Sequence, residues 1–276
     1  MAWIFVGGSQ RSGTSVMQQL LCQSALTNPY VFEATYLRLQ VSLYKDAKNN
    51  FSGNHASYFG DEAGLRQFSS LVVRAFLEQS RKNLGNPAHL VLKEPHLTRV
   101  WPELYELVPD SIFLLMVRDP RDVIASMIEV GQKQAQIGQR YLFTQRNIPE
   151  LCQHFLAFYA PVLNISDPKF RERLAIVLYE NLARNPRHTL KAVSGFTGID
   201  FESIDVSDTP DTGHVTEEVL SRSDVYAPWA TELSGRKVSE SKIGNYQNVL
   251  TASEIAEVEE LCAPLFEWFQ YERRAA

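Results

Sequence analysis

A glycine-rich loop placed directly after a short apolar run is the feature that most constrains this chain. The run Trp3 to Val6 leads into GGSQRSGTS, which occupies positions 7 to 15. From Gly8 the loop has two glycines five residues apart followed by hydroxyl side chains, a pattern typical of loops that hold phosphate with backbone N–H groups. Such a loop joins a buried strand to a helix, and the pattern therefore predicts an α/β fold.

The loop lacks one residue of the usual phosphate-binding pattern. A kinase loop carries a lysine after its second glycine, which reaches the β- and γ-phosphates beside a Mg²⁺ ion, whereas Thr14 stands there in this chain. The cation of the loop is instead Arg11. The loop therefore fits a phosphate ligand that does not need this lysine.

Short apolar runs separated by helical patterns define the rest of the predicted fold. Runs at 3–6, 89–92, 112–117 and 174–178 predict strands buried on both faces. Apolar spacings of three and four predict helices at 14–24, 65–84 and 99–107. The expected fold is a three-layer α/β fold of the P-loop type, with a central, mainly parallel sheet flanked by helices.

The carboxy-terminal stretch 251–269 predicts one closing helix. Thr251 and Glu254 form a capping-box pattern at its start. The apolar positions expected to face the core are Ile255, Val258, Leu261 and Leu265. Loops are predicted at 53–64, 205–213 and 231–247.

Composition limits the classes of function. The 276 residues fit one domain spanning 1–276, and the net charge of -5 predicts no general attraction to nucleic acid. No apolar stretch reaches the roughly 18 residues of a membrane span. The three cysteines have no metal-ligand spacing and are a poor disulfide framework, which favours a reducing, cytoplasmic compartment.

Charged or aromatic residues follow the strands where those strands end. Lys93 follows the second apolar run, Arg118 the third and Tyr179 the fourth, while Arg11 lies in the loop after the first. Ligands of open parallel sheets bind at the carboxyl ends of the strands. We therefore expect these side chains to converge on one site.

The residues after Arg118 indicate a second anion site. Asp119 is placed to cap a helix that begins with Pro120, and the free N–H groups at a helix start attract anions. Ser126 lies eight residues beyond Arg118. Arg118 and Ser126 are therefore predicted to share a second phosphate.

These segments resemble the sulfotransferase family, which uses 3′-phosphoadenosine 5′-phosphosulfate (PAPS) as donor. QRSGTS at 10–15 is similar to the family loop P-(K/R)-S-G-T-(T/S), with Gln10 in place of proline. Arg118 with Ser126 resembles its 3′-phosphate motif, and YENLARNP at 179–186 resembles its Y-E-(x)n-N-P stretch. In detail the segments are closer to the tyrosylprotein and bacterial branch than to the cytosolic branch for small phenols.

The resemblance implies transfer of a sulfonate group from PAPS to a hydroxyl acceptor by in-line attack, releasing adenosine 3′,5′-bisphosphate without a metal. It implies donor contacts from Gln10, Arg11, Ser12, Gly13, Thr14, Ser15, Arg118, Ser126 and Tyr179. Arg11 is expected to stabilise the charge that grows on the leaving phosphate. Lys93, in the K-E-P segment that resembles the family's K-(D/T/E)-P, is the second candidate for that role.

Two residues are candidates for the base that orients and deprotonates the acceptor hydroxyl. Glu33 lies just after the first helix, where the tyrosylprotein branch has its catalytic glutamate. His96 resembles the K-T-H histidine of the cytosolic branch but is displaced by one position. The other histidines show no metal-ligand spacing and no evident partner, namely His55, His89, His154, His188 and His214.

A late segment, RKVSESKIGNYQN, resembles the family loop that covers the donor phosphates. It makes Ser239, Ser241 and Lys242 further donor-binding candidates, whereas Arg236 and Lys237 fit a solvated surface equally well. A mobile segment of this kind is expected to act as a lid.

The acceptor is predicted to be apolar or aromatic: a small molecule, a peptide or an acyl chain. The segments 27–64, 129–170 and 205–235, which would recognise it, are rich in aromatic residues and mixed in charge, and they include Tyr226 and Trp229. Two alternatives remain open at this point. One is a metal-dependent P-loop kinase, and the other is a non-catalytic nucleotide-binding protein of the same fold.

Overall fold

Four parallel strands form the centre of the fold in this computed structural model, which describes residues 1–206, 228 and 239–273. The strands are β1 (Trp3–Gly8), β2 (Leu90–Lys93), β3 (Ile112–Val117) and β4 (Leu174–Leu178). They lie in the order β2-β1-β3-β4, and each neighbouring pair is parallel. All four predicted strands are confirmed, and their carboxyl ends share one edge of the sheet.

Side chains alternate between the two faces of the sheet and build two hydrophobic clusters. On β1, Trp3 and Phe5 belong to one cluster, whereas Ile4 and Val6 belong to the other. Because β1, β2 and β3 are buried on both faces, they read as continuous apolar runs rather than as alternating patterns. The prediction of burial on both faces is wrong for β4, which lies at the edge of the sheet with Ile176 46% exposed. Each cluster lies between the sheet and one of the two helical layers, as expected for a three-layer α/β fold.

Thirteen helices lie within the described residues. They are α1 (Thr14–Leu21), α2 (Thr35–Asn49), α3 (Ala56–Phe59), α4 (Glu62–Asn83), α5 (Trp101–Leu107), α6 (Pro120–Gln136), α7 (Ile148–Leu163), α8 (Pro168–Arg171), α9 (Tyr179–Arg184), α10 (Pro186–Thr197), α11 (Tyr246–Val249), α12 (Ala252–Leu261) and α13 (Ala263–Phe269). Among the described helices, none combines the length and the hydropathy that crossing a membrane requires.

Short turns of 3₁₀ or π helix connect some of these elements. A π-helical turn spans Phe51–His55, and 3₁₀ turns span Pro95–Val100, Leu142–Gln145 and Glu240–Lys242. The predicted helix at 99–107 is therefore a 3₁₀ turn followed by α5.

The predicted loop at 53–64 is wrong for most of its length. The π-helical turn and α3 fill residues 51–59, and α3 is capped by Gly60, whose φ is 77°. Asp61 caps α4 by accepting a hydrogen bond of 2.8 Å from Gly64 N–H. Gly60 and Gly64 therefore mark a helix end and a helix start rather than a long loop.

The closing segment forms two helices instead of the one predicted. The capping box of Thr251 and Glu254 is confirmed at the start of α12. The helix ends at Cys262, because Pro264 cannot donate the backbone hydrogen bond that continuation needs. Cys262 is buried, whereas Leu261 is 39% exposed, so the prediction of Leu261 as a core residue is wrong.

Candidate active site

The carboxyl edge of the sheet brings the predicted site residues together. Val6 of β1 lies opposite Lys93 of β2, and Gly8 lies opposite Met116 of β3. The glycine loop therefore starts between Lys93 and Arg118. The convergence expected from the strand ends is present.

A tight turn shapes the glycine loop. The N–H and the hydroxyl of Ser12 both donate to the carbonyl of Ser9, at 3.2 and 2.6 Å. Of the two central residues, Arg11 has a φ of 71° and Gln10 has a negative φ, which is the signature of a type II turn. The polar groups of Ser12 thus hold the shape of the loop.

The loop delivers the start of α1 to the edge of the sheet. Gly13 caps this helix with a φ of 92° and has no side chain to accept the first N–H groups. A Cβ at Gly13 would lie 2.6 Å from the ring of Tyr179, so only glycine fits here. The N–H groups of Thr14 and Ser15 and the positive end of the helix dipole are thus available to an anion.

Two arginines and a serine form a cationic cluster beside the loop. Arg11 Nε donates to Ser126 Oγ at 3.0 Å, and Arg118 Nη1 donates to the carbonyl of Arg11 at 3.2 Å. The Arg118 guanidinium lies 4.5 Å from the ring centroid of Tyr179. Burial, together with the charge of Arg118, lowers the pKa of Arg11 to about 10. The cluster concentrates positive charge that an anion would stabilise.

Arg118 retains an unused donor. Its side chain is 8% exposed, and Nε is buried with no hydrogen-bond partner among the described residues. A buried polar group without a partner is uncommon in folded proteins and costs free energy. The cluster therefore fits a ligand that supplies an acceptor atom at this point.

Lys93 and Glu33 form an ion pair on the other side of the loop. Lys93 Nζ donates to Glu33 Oε1 at 2.9 Å, and the N–H of Ala34 donates to the carbonyl of Lys93 at 2.9 Å. Lys93 is buried, whereas the Glu33 side chain is 43% exposed. Glu33 is thus held at the strand end with its carboxylate open to solvent.

His96 lies in an apolar and cationic environment. Its ring packs against Phe158 with the ring centroids 5.2 Å apart. Burial and the charges of Arg99 and Arg38 lower the pKa of His96 to about 4. Burial and the neighbouring cations therefore disfavour an imidazolium at this position, and the choice between Glu33 and His96 as the base stays a prediction.

Glu94 is a further ionisable residue beside Lys93, and no sequence pattern pointed to it. It is buried next to Lys93, and its carboxylate lies 3.7 Å from Arg38 Nε. Burial and the nearby charge of Glu33 raise the pKa of Glu94 to about 7. The K-E-P segment contains Glu94. Its burial, which raises the pKa, depends on the tertiary structure and cannot be read from that segment.

His154 has partners that the sequence analysis did not find. Its Nε2 lies 3.0 Å from Gln10 Oε1, and its Nδ1 lies 3.1 Å from Arg99 Nη2. Gln10 and His154 are 144 residues apart in sequence. No local pattern indicates this contact.

The late segment packs on the arginine cluster through its backbone. Arg118 Nη2 donates to the carbonyl of Lys242 at 2.6 Å, and the Tyr179 hydroxyl donates to the carbonyl of Ser239 at 3.3 Å. The Ser239 hydroxyl accepts from Ser241 N–H, and Lys242 Nζ lies 3.6 Å from Glu129. Donor contacts from Ser239, Ser241, Lys242 and Tyr179 stay predictions.

Asp122 fixes this segment to α6. Its two carboxylate oxygens accept from the N–H groups of Gly244 and Tyr246, at 2.8 and 3.0 Å. Tyr226, Trp229, Arg236 and Lys237 lie outside the described residues. Within the residues that are described, no three His, Cys, Asp or Glu side chains form a group suited to a metal ion.

Comparison with known proteins finds sulfotransferases. The model of the sulfotransferase family matches residues 3–203. Protein-tyrosine sulfotransferase 2 of Gallus gallus is 31% identical over 202 residues, covering 72% of this chain and 52% of the chicken protein. Protein-tyrosine sulfotransferase 1 of Homo sapiens is 33% identical over 130 residues, covering 46% of this chain and 34% of the human protein. The chain thus matches about half or less of the length of these relatives.

Solved structures share the fold. The sulfotransferase domain from the Synechococcus PCC 7002 olefin synthase has a TM-score of 0.61 at 15% identity, covering 99% of this chain and 95% of that domain. Sulfotransferase STF9 from Mycobacterium avium has a TM-score of 0.53 at 12% identity, covering 100% of this chain and 78% of that protein. At these identities the similarity is one of fold.

Proposed function

The chain belongs to the sulfotransferase family, and we propose that it transfers a sulfonate group from PAPS to a hydroxyl acceptor by in-line attack. The products are a sulfate ester and adenosine 3′,5′-bisphosphate. The kinase alternative is disfavoured by Thr14 in the lysine position and by the second cationic site at Arg118.

The Arg11, Ser126 and Arg118 cluster is the observation that carries the proposal. Within it, Arg118 and Ser126 suit the 3′-phosphate of the donor, and Arg118 Nε has no hydrogen-bond partner among the described residues. The start of α1, capped by Gly13, suits the 5′-phosphosulfate. The residues present therefore fit a nucleotide with two separate anionic groups, which a nucleoside triphosphate does not have.

The remaining residues suit the chemistry of the transfer. The acceptor oxygen forms a bond to sulfur as the bond from sulfur to the bridging phosphate oxygen breaks, and the hydroxyl proton passes to Glu33. Negative charge then grows on the 5′-phosphate, where the guanidinium of Arg11 and the ammonium of Lys93 stabilise it. The contact of 2.9 Å between Lys93 Nζ and Glu33 Oε1 supports these two roles.

The acceptor is proposed to be apolar or aromatic, with a tyrosyl peptide favoured. The relatives named above are protein-tyrosine sulfotransferases, and exposed aromatic side chains flank Glu33 in sequence, namely Phe32 and Tyr36. A tyrosine-containing peptide, a simple phenol and a heparin-like chain would be compared as acceptors. Preferential sulfation of the heparin-like chain would contradict this part of the proposal.

A cytoplasmic location is also proposed. Cys22, Cys152 and Cys262 are free thiols, which suits a reducing compartment. Fractionation of the source cells would test this location.

The donor site is tested by thermal unfolding with adenosine 3′,5′-bisphosphate in EDTA. We expect Tm to rise by several degrees at 100 times Kd, because saturating ligand adds about 2.7 kcal/mol to the free energy of unfolding. Arg118→Ala should weaken this ligand by about 10- to 100-fold, because a hydrogen-bonded charge pair is lost. AMP, which lacks the 3′-phosphate, should stabilise the protein much less.

Matched controls separate the alternatives. Arg74→Ala removes an exposed arginine of α4 that pairs with Asp110, and it should leave ligand binding unchanged. Stabilisation by ATP with Mg²⁺ but not by the bisphosphate would support the kinase instead. Binding of the bisphosphate without turnover of PAPS on any hydroxyl acceptor would indicate a non-catalytic protein.

A further inference from the structure

Gln10 stands at a position of the loop where proline has a physical role. The turn Ser9 to Ser12 is of type II, and Gln10 is its first central residue. Proline is favoured there because its ring fixes φ near −65°, the value that the turn requires. Gln10 satisfies the turn but does not fix its own φ, so a contact that holds the Gln10 side chain would act in place of the proline ring.

The restraint is a hydrogen bond from α7. His154 Nε2 lies 3.0 Å from Gln10 Oε1, and Arg99 Nη2 lies 3.1 Å from His154 Nδ1. Because an arginine can only donate, Nδ1 must accept, and the ring hydrogen must lie on Nε2. His154 therefore donates to the Gln10 side chain.

Arg99 is itself held in place. Its guanidinium lies 4.1 Å from the ring centroid of the fully buried Phe158, and Nη2 also donates to the carbonyl of His154 at 3.1 Å. Phe143 contacts the imidazole edge-on with centroids 5.7 Å apart. The ring of His154 is thus fixed in both orientation and tautomer.

We propose that His154 is a positioning residue for the donor-binding loop. Through Gln10 it fixes the turn that presents Arg11, and a side-chain hydrogen bond replaces the covalent restraint of proline. Arg99 lies in the 3₁₀ turn that follows Lys93, so the same contacts hold the loop in register with that second cation. This inference rests on the proposed function, because it assigns the loop to the donor.

The experiment is a double-mutant cycle read out by the Kd of adenosine 3′,5′-bisphosphate and by KM for PAPS. His154→Phe keeps the ring but removes the donor, and it is expected to weaken the bisphosphate about five- to tenfold. Gln10→Pro restores the covalent restraint, and its own Kd for the bisphosphate is the reference for the second half of the cycle. In the Gln10→Pro background, His154→Phe should have no further effect on Kd.

Two further variants test whether the loss of affinity comes from the hydrogen bond itself or from a general disturbance of packing around His154. His154→Gln places an amide donor near the Nε2 position and should retain most of the affinity. Gln10→Leu removes the acceptor from the loop side, and His154→Phe should add no further loss to it. His89→Ala is the matched control, since this histidine accepts a hydrogen bond from Ala2 N–H far from the loop and should change only Tm.

The outcomes distinguish the inference from the proposed function. An equal loss of affinity from His154→Phe in the natural and Gln10→Pro backgrounds would overturn the positioning role. Unchanged binding by Gln10→Leu would overturn it too. If the natural protein does not bind the bisphosphate, the proposed function fails, and the inference fails with it.

Discussion

Arg11→Ala is expected to lower kcat for sulfonate transfer by about 10²- to 10³-fold, the loss typical of removing one donor that stabilises transition-state charge. The guanidinium lies inside the glycine loop, where burial and, after it, the nearby charge of Arg118 lower its pKa. Repulsion from Arg118 raises the energy of the Arg11 cation, and negative charge that develops beside Arg11 offsets that repulsion. KM for PAPS should rise far less than kcat falls, because that charge is largest in the transition state.

Arg11→Lys and Arg118→Ala are the comparisons for this prediction. Lysine is accepted at this position of the family loop, so Arg11→Lys should retain activity within about tenfold although it cannot reproduce the bidentate geometry of arginine. Arg118→Ala should act mainly on donor affinity. A loss confined to KM in Arg11→Ala would assign Arg11 to ground-state binding alone.

Glu33→Gln is expected to lower kcat by about 10²- to 10⁴-fold, the usual contribution of a general base. The substitution conserves shape, and the Glu33 side chain is 43% exposed, so the fold should tolerate it. Lys93 loses the carboxylate that it contacts at 2.9 Å but keeps an oxygen as acceptor. Initial rates with saturating PAPS and a phenolic acceptor would measure the effect.

His96→Gln decides between the two candidate bases. His96 packs against Phe158, and burial with the charges of Arg99 and Arg38 disfavours the imidazolium that proton uptake would form. The variant should therefore keep kcat within about fivefold. The effect of Glu33→Gln should shrink with a more acidic phenol, because such an acceptor needs less help to lose its proton. A larger loss in His96→Gln than in Glu33→Gln would make His96 the base.

The strands and the strand-end residues could be predicted because each depends on a short stretch of sequence. A buried parallel strand requires a continuous apolar run, and the common direction of the strands brings Arg11, Lys93 and Arg118 to one edge. The capping box at Thr251 was equally local. The break at Cys262 was missed because the apolar spacing continues across it, although Pro264 was the available signal.

Contacts between distant segments could not be predicted. The bond of Gln10 to His154 joins residues 144 positions apart, and its existence depends on how α7 packs against the 3₁₀ turn after Lys93. The raised pKa of Glu94 likewise follows from burial, which sequence spacing does not reveal. The sequence therefore indicated which groups are present at the site but not which groups hold them.

The positive φ of Arg11 has a consequence for redesign of this chain. A non-glycine residue in the left-handed region gives up about 1 kcal/mol or more relative to glycine. Selection for thermostability alone would thus drive position 11 toward glycine, which is also a common choice at this place in a type II turn. A variant selected for the backbone preference at position 11 would lose the guanidinium. A redesign that aims to keep an active enzyme should therefore leave Arg11 unchanged.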